Sequence, residues 1–460
     1  MSENPHNSIH EKEARNFFDY LRKENLCYSN EVVENFLLSM KAKQFLIFSG
    51  GSGTGKTKLA QAYGKFISNT PAEDKIAEFD VSLNKADTNG GFTLGSDDFF
   101  SNLPYNGRKA DGLYRVKIGD LETECKVSLS PRLWYRPNKE AIVKEVVKLK
   151  NEGKKTEKLY MYIPQTGSSG DNYEIVPVGS NWTESRFIIG YKNALTGNYV
   201  STKSLDLILK SNERVAEPHL LILDEMNLSH VERYFSDILS AVESKEKICL
   251  DSDGKIPESV DIGDNLFIVG TVNIDETTYT FSPKVLDRAN VIEFETIPIT
   301  EYILLKDKKE LPEGNIEFLQ NCMSGLEVRS MNTTDIIAEL SETVENKPIV
   351  ESIVNDIDSL QKQMDSIGLS FGFRTMDEIM RFMYVAWIYK GKREFTTWKR
   401  FLDAQIKQKI LPKIHGNLSI KDALESMMKL CKTNGYETSE KKLSRMIDIL
   451  EKQRYVSFNN

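Results

Sequence analysis

Apolar residues fall into two textures along this chain. Short continuous runs, Phe45-Leu46-Ile47-Phe48, His219-Leu220-Leu221-Ile222-Leu223 and Leu266-Phe267-Ile268-Val269, read as strands buried on both faces of a parallel sheet. Elsewhere apolar positions recur every three or four residues, which predicts helices over 58–66, 231–243, 353–367, 375–388, 397–410 and 441–452. The first 40 or so residues carry the helical pattern too, through Phe17, Phe18 and Leu21, then Val33, Phe36 and Leu37. That stretch is too short for a domain of its own and reads as a helical brace over 1–40.

Ile76-Ala77-Glu78-Phe79-Asp80-Val81 reads as the second strand of the sheet. The next buried run, at His219, comes only after a gap of roughly 135 residues, which is itself domain-sized. An insertion therefore interrupts the core. Within it, 112–130 alternate like antiparallel strands, 138–152 form an amphipathic helix, and Leu159–Ile163 and Tyr173–Val178 read as further strands. Asp251-Ser252-Asp253-Gly254 reads as the turn of a hairpin between Lys247–Leu250 and Ser259–Ile262. The expected architecture is α/β, a parallel sheet flanked by helices. Its parts are the brace at 1–40, a core in two pieces at 41–100 and 181–296, a small inserted α+β module at 101–180, and a helical domain at 297–460.

Chemistry enters at the end of the first buried run. Gly50-Gly51-Ser52-Gly53-Thr54-Gly55-Lys56-Thr57 is G-x-x-x-x-G-K-[ST] between a strand and a helix. The glycines let successive backbone N–H groups turn inward around a phosphate, and the helix N-terminus adds its positive dipole end. Lys56 would reach the β- and γ-phosphates, and the Thr57 hydroxyl would ligate Mg²⁺. A Gly-rich turn before a helix can also be simple punctuation, but here strand, loop, Lys-Thr and helix stand in order.

Leu220–Leu223 runs into two adjacent carboxylates, Asp224 and Glu225. At the C-terminal edge of a parallel sheet they would face the P-loop. Asp224 would hold the Mg²⁺ through water, and Glu225 would polarise the attacking water. Asn273, ending the run from Leu266, would position that water. Arg288 follows Asp287, where a ring-forming NTPase would present an arginine finger to its neighbour's γ-phosphate; a helix-end arginine paired with Asp287 is the alternative. Arg374, in Phe371-Gly372-Phe373-Arg374-Thr375, opens a helix with Thr375 as its candidate N-cap.

Composition narrows the setting. The 460 residues exceed one compact core, and 40% hydrophobic with 28% charged residues is a globular balance. No run approaches the ~18 apolar residues of a membrane span, no signal-peptide pattern opens the chain, and the five cysteines are widely spaced. These features predict a cytoplasmic protein with reduced thiols. A net charge of −8 argues against a uniformly basic nucleic-acid coat, though not against a local patch. Trp134, Tyr135, Tyr105 and several Lys and Arg residues in the insertion would suit a nucleic-acid contact or, equally, a solvated charged face.

Gly50–Thr57, Leu220–Glu225, Thr271-Val272-Asn273 and Asp287-Arg288, in that order, resemble an AAA+ NTPase of the dynein-related and MoxR-like branch. Asp224-Glu225-Met226-Asn227 with Thr271-Val272-Asn273-Ile274-Asp275 is similar, more narrowly, to the McrB-like motor subunits of modification-dependent restriction systems. The resemblance implies a hexameric ring that hydrolyses ATP or GTP with Mg²⁺, binds DNA and drives an McrC-type nuclease. It also makes 297–460 a helical lid and Arg374 a sensor-2 residue reaching back to the γ-phosphate, with a surface arginine at a helix entry as the equal alternative. Restriction proteins of that group typically carry a DNA-reading domain before the P-loop; here only a short helical stretch precedes it, so modified-base recognition would require the insertion to have taken that role. A MoxR-like ATPase remodelling a protein partner without DNA is the alternative. A nucleotide-gated scaffold without turnover fits less well, since it has no need of Glu225.

Overall fold

A computed structural model describes residues 16–69, 75–83, 91–93, 112–127, 132–137, 139–163, 172–274, 281–300, 303 and 310–458. The chain divides into two compact units, Met1–Ile67 with Gly170–Asn460, and Ser68–Ser169.

The larger unit is α/β. Its sheet contains β1 (Phe45–Gly50), β2 (Tyr173–Pro177), β3 (His219–Asp224), β4 (Leu266–Asn273) and β5 (Asn290–Phe294), all parallel, in the order β5-β1-β4-β3-β2. β1 is buried along its whole length, as strands covered by helices on both faces must be. Register decides what meets at the C-terminal edge. Gly50 lies beside Asn273, and Leu223 beside Gly270, so the ends of β1, β3 and β4 arrive together.

Helices cover the sheet and continue beyond it. α1 (Phe17–Lys23) is capped by Asn16, whose Oδ1 accepts from Asp19 N at 2.9 Å, and α2 (Asn30–Ala42) is capped by Ser29. α3 (Lys56–Asn69) leaves the P-loop, and α4 (Ser236–Ser244) follows β3. The expected helix over 231–243 breaks at Phe235 into Val231–Tyr234 and α4. The C-terminal region is helical, with α5 (Phe373–Tyr389), α6 (Trp398–Gln405) and α7 (Glu437–Gln453) among its members. Gly372, not Thr375, occupies the N-cap of α5; Thr375 is buried one turn in and accepts from Lys413 Nζ at 3.1 Å. Among the described residues no helix is long and apolar enough to cross a membrane.

Buried ions join this helical region to the sheet. Glu378 on α5 pairs with Lys43, just before β1, and with Lys409. Lys409 also donates to the carbonyls of Asp287 and Ala289, at 2.9 Å each. Burial alone would push the Glu378 carboxyl up, yet Lys409 and Lys43 together hold it down to about 2. Its contribution to stability is therefore complete above about pH 4.5 and is lost as pH falls toward 2. Glu378→Gln would leave two buried lysines without their anion, so urea unfolding at pH 7 should show a loss of about 3–5 kcal/mol. An unchanged midpoint would show that the lysines find other partners.

The smaller unit is a six-stranded antiparallel sheet, in the order Lys75–Ser82, Thr156–Ile163, Gly112–Ile118, Leu121–Val127, Arg132–Pro137 and Gly91–Thr93. The helix Lys139–Asn151 buries Ile142, Val146 and Leu149. Two boundaries move as a result. Ile76–Val81 is not a core strand: it pairs antiparallel with Thr156–Ile163, and Phe79 and Val81 are buried while Glu78 and Asp80 are exposed, the alternation of a one-sided sheet. Tyr173–Pro177, expected in the insertion, is instead the edge strand β2 of the core. The inserted unit is thus 68–169 rather than 101–180. Trp134 and Tyr135 fall on the strand Arg132–Pro137, while Tyr105 lies outside the described residues.

Candidate functional site

The P-loop leaves β1 at Gly50, and a side chain there has no room. A Cβ on Gly50 would stand 2.4 Å from the Phe294 carbonyl oxygen of β5. Gly55 has φ +91°, and its carbonyl accepts from the Tyr28 hydroxyl at 2.8 Å. Tyr28, between α1 and α2, thereby fastens the loop from outside. The loop–helix junction is otherwise built by Lys56, first residue of α3 and 5% exposed. Its Nζ donates to the carbonyls of Gly50 at 2.9 Å and Gly51 at 2.6 Å. Burial lowers the Lys56 pKa, opposed by the charges of Asp224 and Glu225.

Across from the loop, Asp224 closes β3 and takes two hydroxyls on one oxygen. Thr57 Oγ1 and Thr271 Oγ1 each donate to Asp224 Oδ1 at 2.7 Å. Thr271 also accepts the Glu225 backbone N–H at 3.0 Å. It therefore ties β4 to the end of β3. Glu225 adopts φ +53°, a left-handed conformation uncommon for a residue with a side chain. That bend carries its carboxylate to Asn273, whose Nδ2 donates to Glu225 Oε1 at 3.0 Å. Buried Asn227 supports the pair by donating to the Asn273 carbonyl at 3.2 Å.

Lys56, Thr57, Asp224, Glu225 and Asn273, expected as one site, are thus brought together. Thr57 and Asp224 offer neighbouring hard oxygens, the donor type Mg²⁺ takes alongside substrate phosphates. Thr271 and Tyr28 are part of the site without having been singled out. Thr271 stood inside the motif ending at Asn273, but its role depends on the register between strands. Beside the loop, a cleft of about 620 Å³ is lined by Ser52, Gly53, Thr54, Tyr28, Phe294 and Thr438, a volume suited to a small ligand.

The two arginines lie elsewhere. Arg288 and Arg374 both pair with Glu243 of α4, and share a cavity with Gln44, the residue before β1. β1 has six residues, so at about 3.3 Å each that cavity and the P-loop sit at opposite ends of a strand roughly 20 Å long. Arg374 therefore does not reach its own P-loop, contrary to the sensor-2 expectation. Arg288 does not pair with Asp287 either; that carboxylate binds Lys413.

The family described as a domain of unknown function, DUF8727, matches residues 327–455, the greater part of the helical region and none of the P-loop or carboxylate strands. No curated protein matches the chain.

Proposed function

We infer that this chain is a Mg²⁺-dependent nucleoside triphosphatase of the AAA+ type, acting in a ring whose sites are completed between neighbours. One observation carries the reading: the P-loop lysine and threonine stand in one constellation with two strand-end carboxylates and Asn273. Phosphate would lie in the loop against the backbone N–H groups and the start of α3, with Lys56 Nζ exchanging loop carbonyls for phosphate oxygens. Thr57 and Asp224 would hold Mg²⁺, which when bound neutralises charge on the phosphates. Glu225, turned toward Asn273, would orient the lytic water and accept its proton as the phosphoryl group departs. The neighbouring cleft offers room for the nucleoside of ATP or GTP. Arg288 lies away from its own P-loop, beside Glu243, and in this reading would serve a neighbouring subunit's site. The narrower reading, a motor driving an McrC-type nuclease on DNA in antiviral defence, is supported by Asp224-Glu225-Met226-Asn227 followed by Thr271-Val272-Asn273.

Mixing subunits tests the shared site. Arg288→Ala and Lys56→Ala proteins should each be inactive alone, yet an equal mixture should recover up to roughly one quarter of parental turnover, the share of interfaces where an intact loop meets an intact arginine. Turnover must also disappear when EDTA removes Mg²⁺. No recovery in the mixture would count against Arg288 acting on a neighbour.

A further inference from the structure

The arginines at the far end of the sheet share one carboxylate. Glu243 meets Arg288 through Oε2 and Arg374 through Oε1. Arg288 belongs to the segment entering β5, Arg374 to the first turn of α5, so a single side chain on α4 holds together the core and the helical region. Its position is not one a helix favours. Glu243 lies in the last turn of α4, where the macrodipole disfavours negative charge. The two guanidinium groups offset that cost, and the placement makes sense as an arginine holder.

The grip is incomplete. Arg288 Nη1 donates to the Lys284 carbonyl at 2.8 Å, but its buried Nε has no acceptor among the described residues. The side chains of Arg288, Glu243 and Arg374 are 23%, 27% and 52% exposed. All three line an open cavity of about 650 Å³, so another anion has access to both guanidinium groups. Phe373, immediately before Arg374, is 90% exposed and offers an apolar contact to a molecule covering that face.

We propose that Glu243 is a latch: it occupies Arg288 and Arg374 in the unassembled chain and is displaced by the nucleotide phosphates of a second copy of this chain on assembly. The proposal rests on the NTPase reading above. It extends that reading by giving Arg374 a partner outside its own P-loop and by making arginine availability depend on assembly. The exchange is anion for anion. A phosphate presents more oxygens than a carboxylate to two planar forks, and one of them suits the unpartnered Nε–H. Without a nucleotide-filled neighbour the arginines stay on Glu243, and an isolated protomer wastes no nucleotide.

Glu243→Gln tests this by keeping the shape and removing the charge. Hydrolysis measured against protein concentration should reach half its maximum at about fivefold lower protein or less. Affinity for a fluorescent nucleotide analogue in dilute protein should not change, because the P-loop is at the other end of β1. Glu243→Ala provides the same measurement should the glutamine variant unfold early. A concentration dependence that is unchanged, or shifted to higher protein, in a variant with the parental unfolding midpoint overturns the latch and leaves the NTPase reading standing. Failure of the parent chain to bind nucleotide overturns both.

Discussion

Lys56→Ala should reduce the affinity for a fluorescent nucleotide analogue by at least 100-fold, about 2.7 kcal/mol at 25 °C. The size follows from the environment of the ammonium. Lys56 is 5% exposed and already held at the mouth of the loop by the Gly50 and Gly51 carbonyls, so little rotamer freedom remains to be lost when phosphate arrives. The loop's backbone N–H groups, the dipole of α3 and the proposed Mg²⁺ persist in the variant, but the phosphate oxygens lose the buried ammonium that faces them directly. Equilibrium titration provides the measurement, with the unfolding midpoint as a control for folding. Affinity equal to that of the parent would remove the P-loop assignment and with it the proposed function.

Glu225→Gln should separate binding from turnover. Nucleotide affinity should stay within about threefold of the parent, while kcat falls roughly 10²–10⁴-fold, the range for loss of a general base. The amide keeps an oxygen for the hydrogen bond from Asn273 Nδ2, so the geometry of the pair survives and only basicity is removed. The variant should also accumulate nucleotide-bound assemblies on a sizing column, because hydrolysis no longer releases them. Single-turnover hydrolysis at the parental rate would show that Glu225 is not the water-activating group. Asp224→Asn should differ in kind. Asp224 accepts from both Thr57 and Thr271, so its loss disturbs the Mg²⁺ ligands and the junction of β3 with β4 together.

How far the site could be read in advance depended on the range of the forces involved. Gly50–Thr57 stood out because the proposed phosphate binding would use consecutive backbone groups, and a consecutive device leaves a consecutive motif. Asp224, Glu225 and Asn273 were legible for a related reason: each ends a buried apolar run, and parallel strands bring their C-terminal ends to one edge. Thr271 needed the register of β4 against β3, and Tyr28 needed the packing of the N-terminal helices on the loop. Neither contact leaves a spacing to read. The arginines show the same limit more sharply. A guanidinium at a helix start looks alike in sequence whether it serves a phosphate or a carboxylate, and Glu243 lies far from Arg374 along the chain.

Strand membership divides along the same line. Runs such as Leu220–Leu223 could only be buried on both faces, so their place in a parallel sheet followed from composition alone. Lys75–Ser82 was expected in the core sheet and Tyr173–Pro177 in the insertion, and both assignments reversed because partners decide the sheet: Thr156–Ile163 for the first, β3 for the second. The sequence by itself determined the glycine-rich turn between β1 and α3, the strand-end carboxylates and the α/β class, because local backbone chemistry and continuous burial dictate them. Only the tertiary structure decided which sheets Lys75–Ser82 and Tyr173–Pro177 join, that Thr271 ties the ends of β3 and β4 together, and that Arg288 and Arg374 meet at Glu243. Those outcomes rest on pairings between residues distant in the chain, where one strand edge or one charge has many possible partners and packing selects among them.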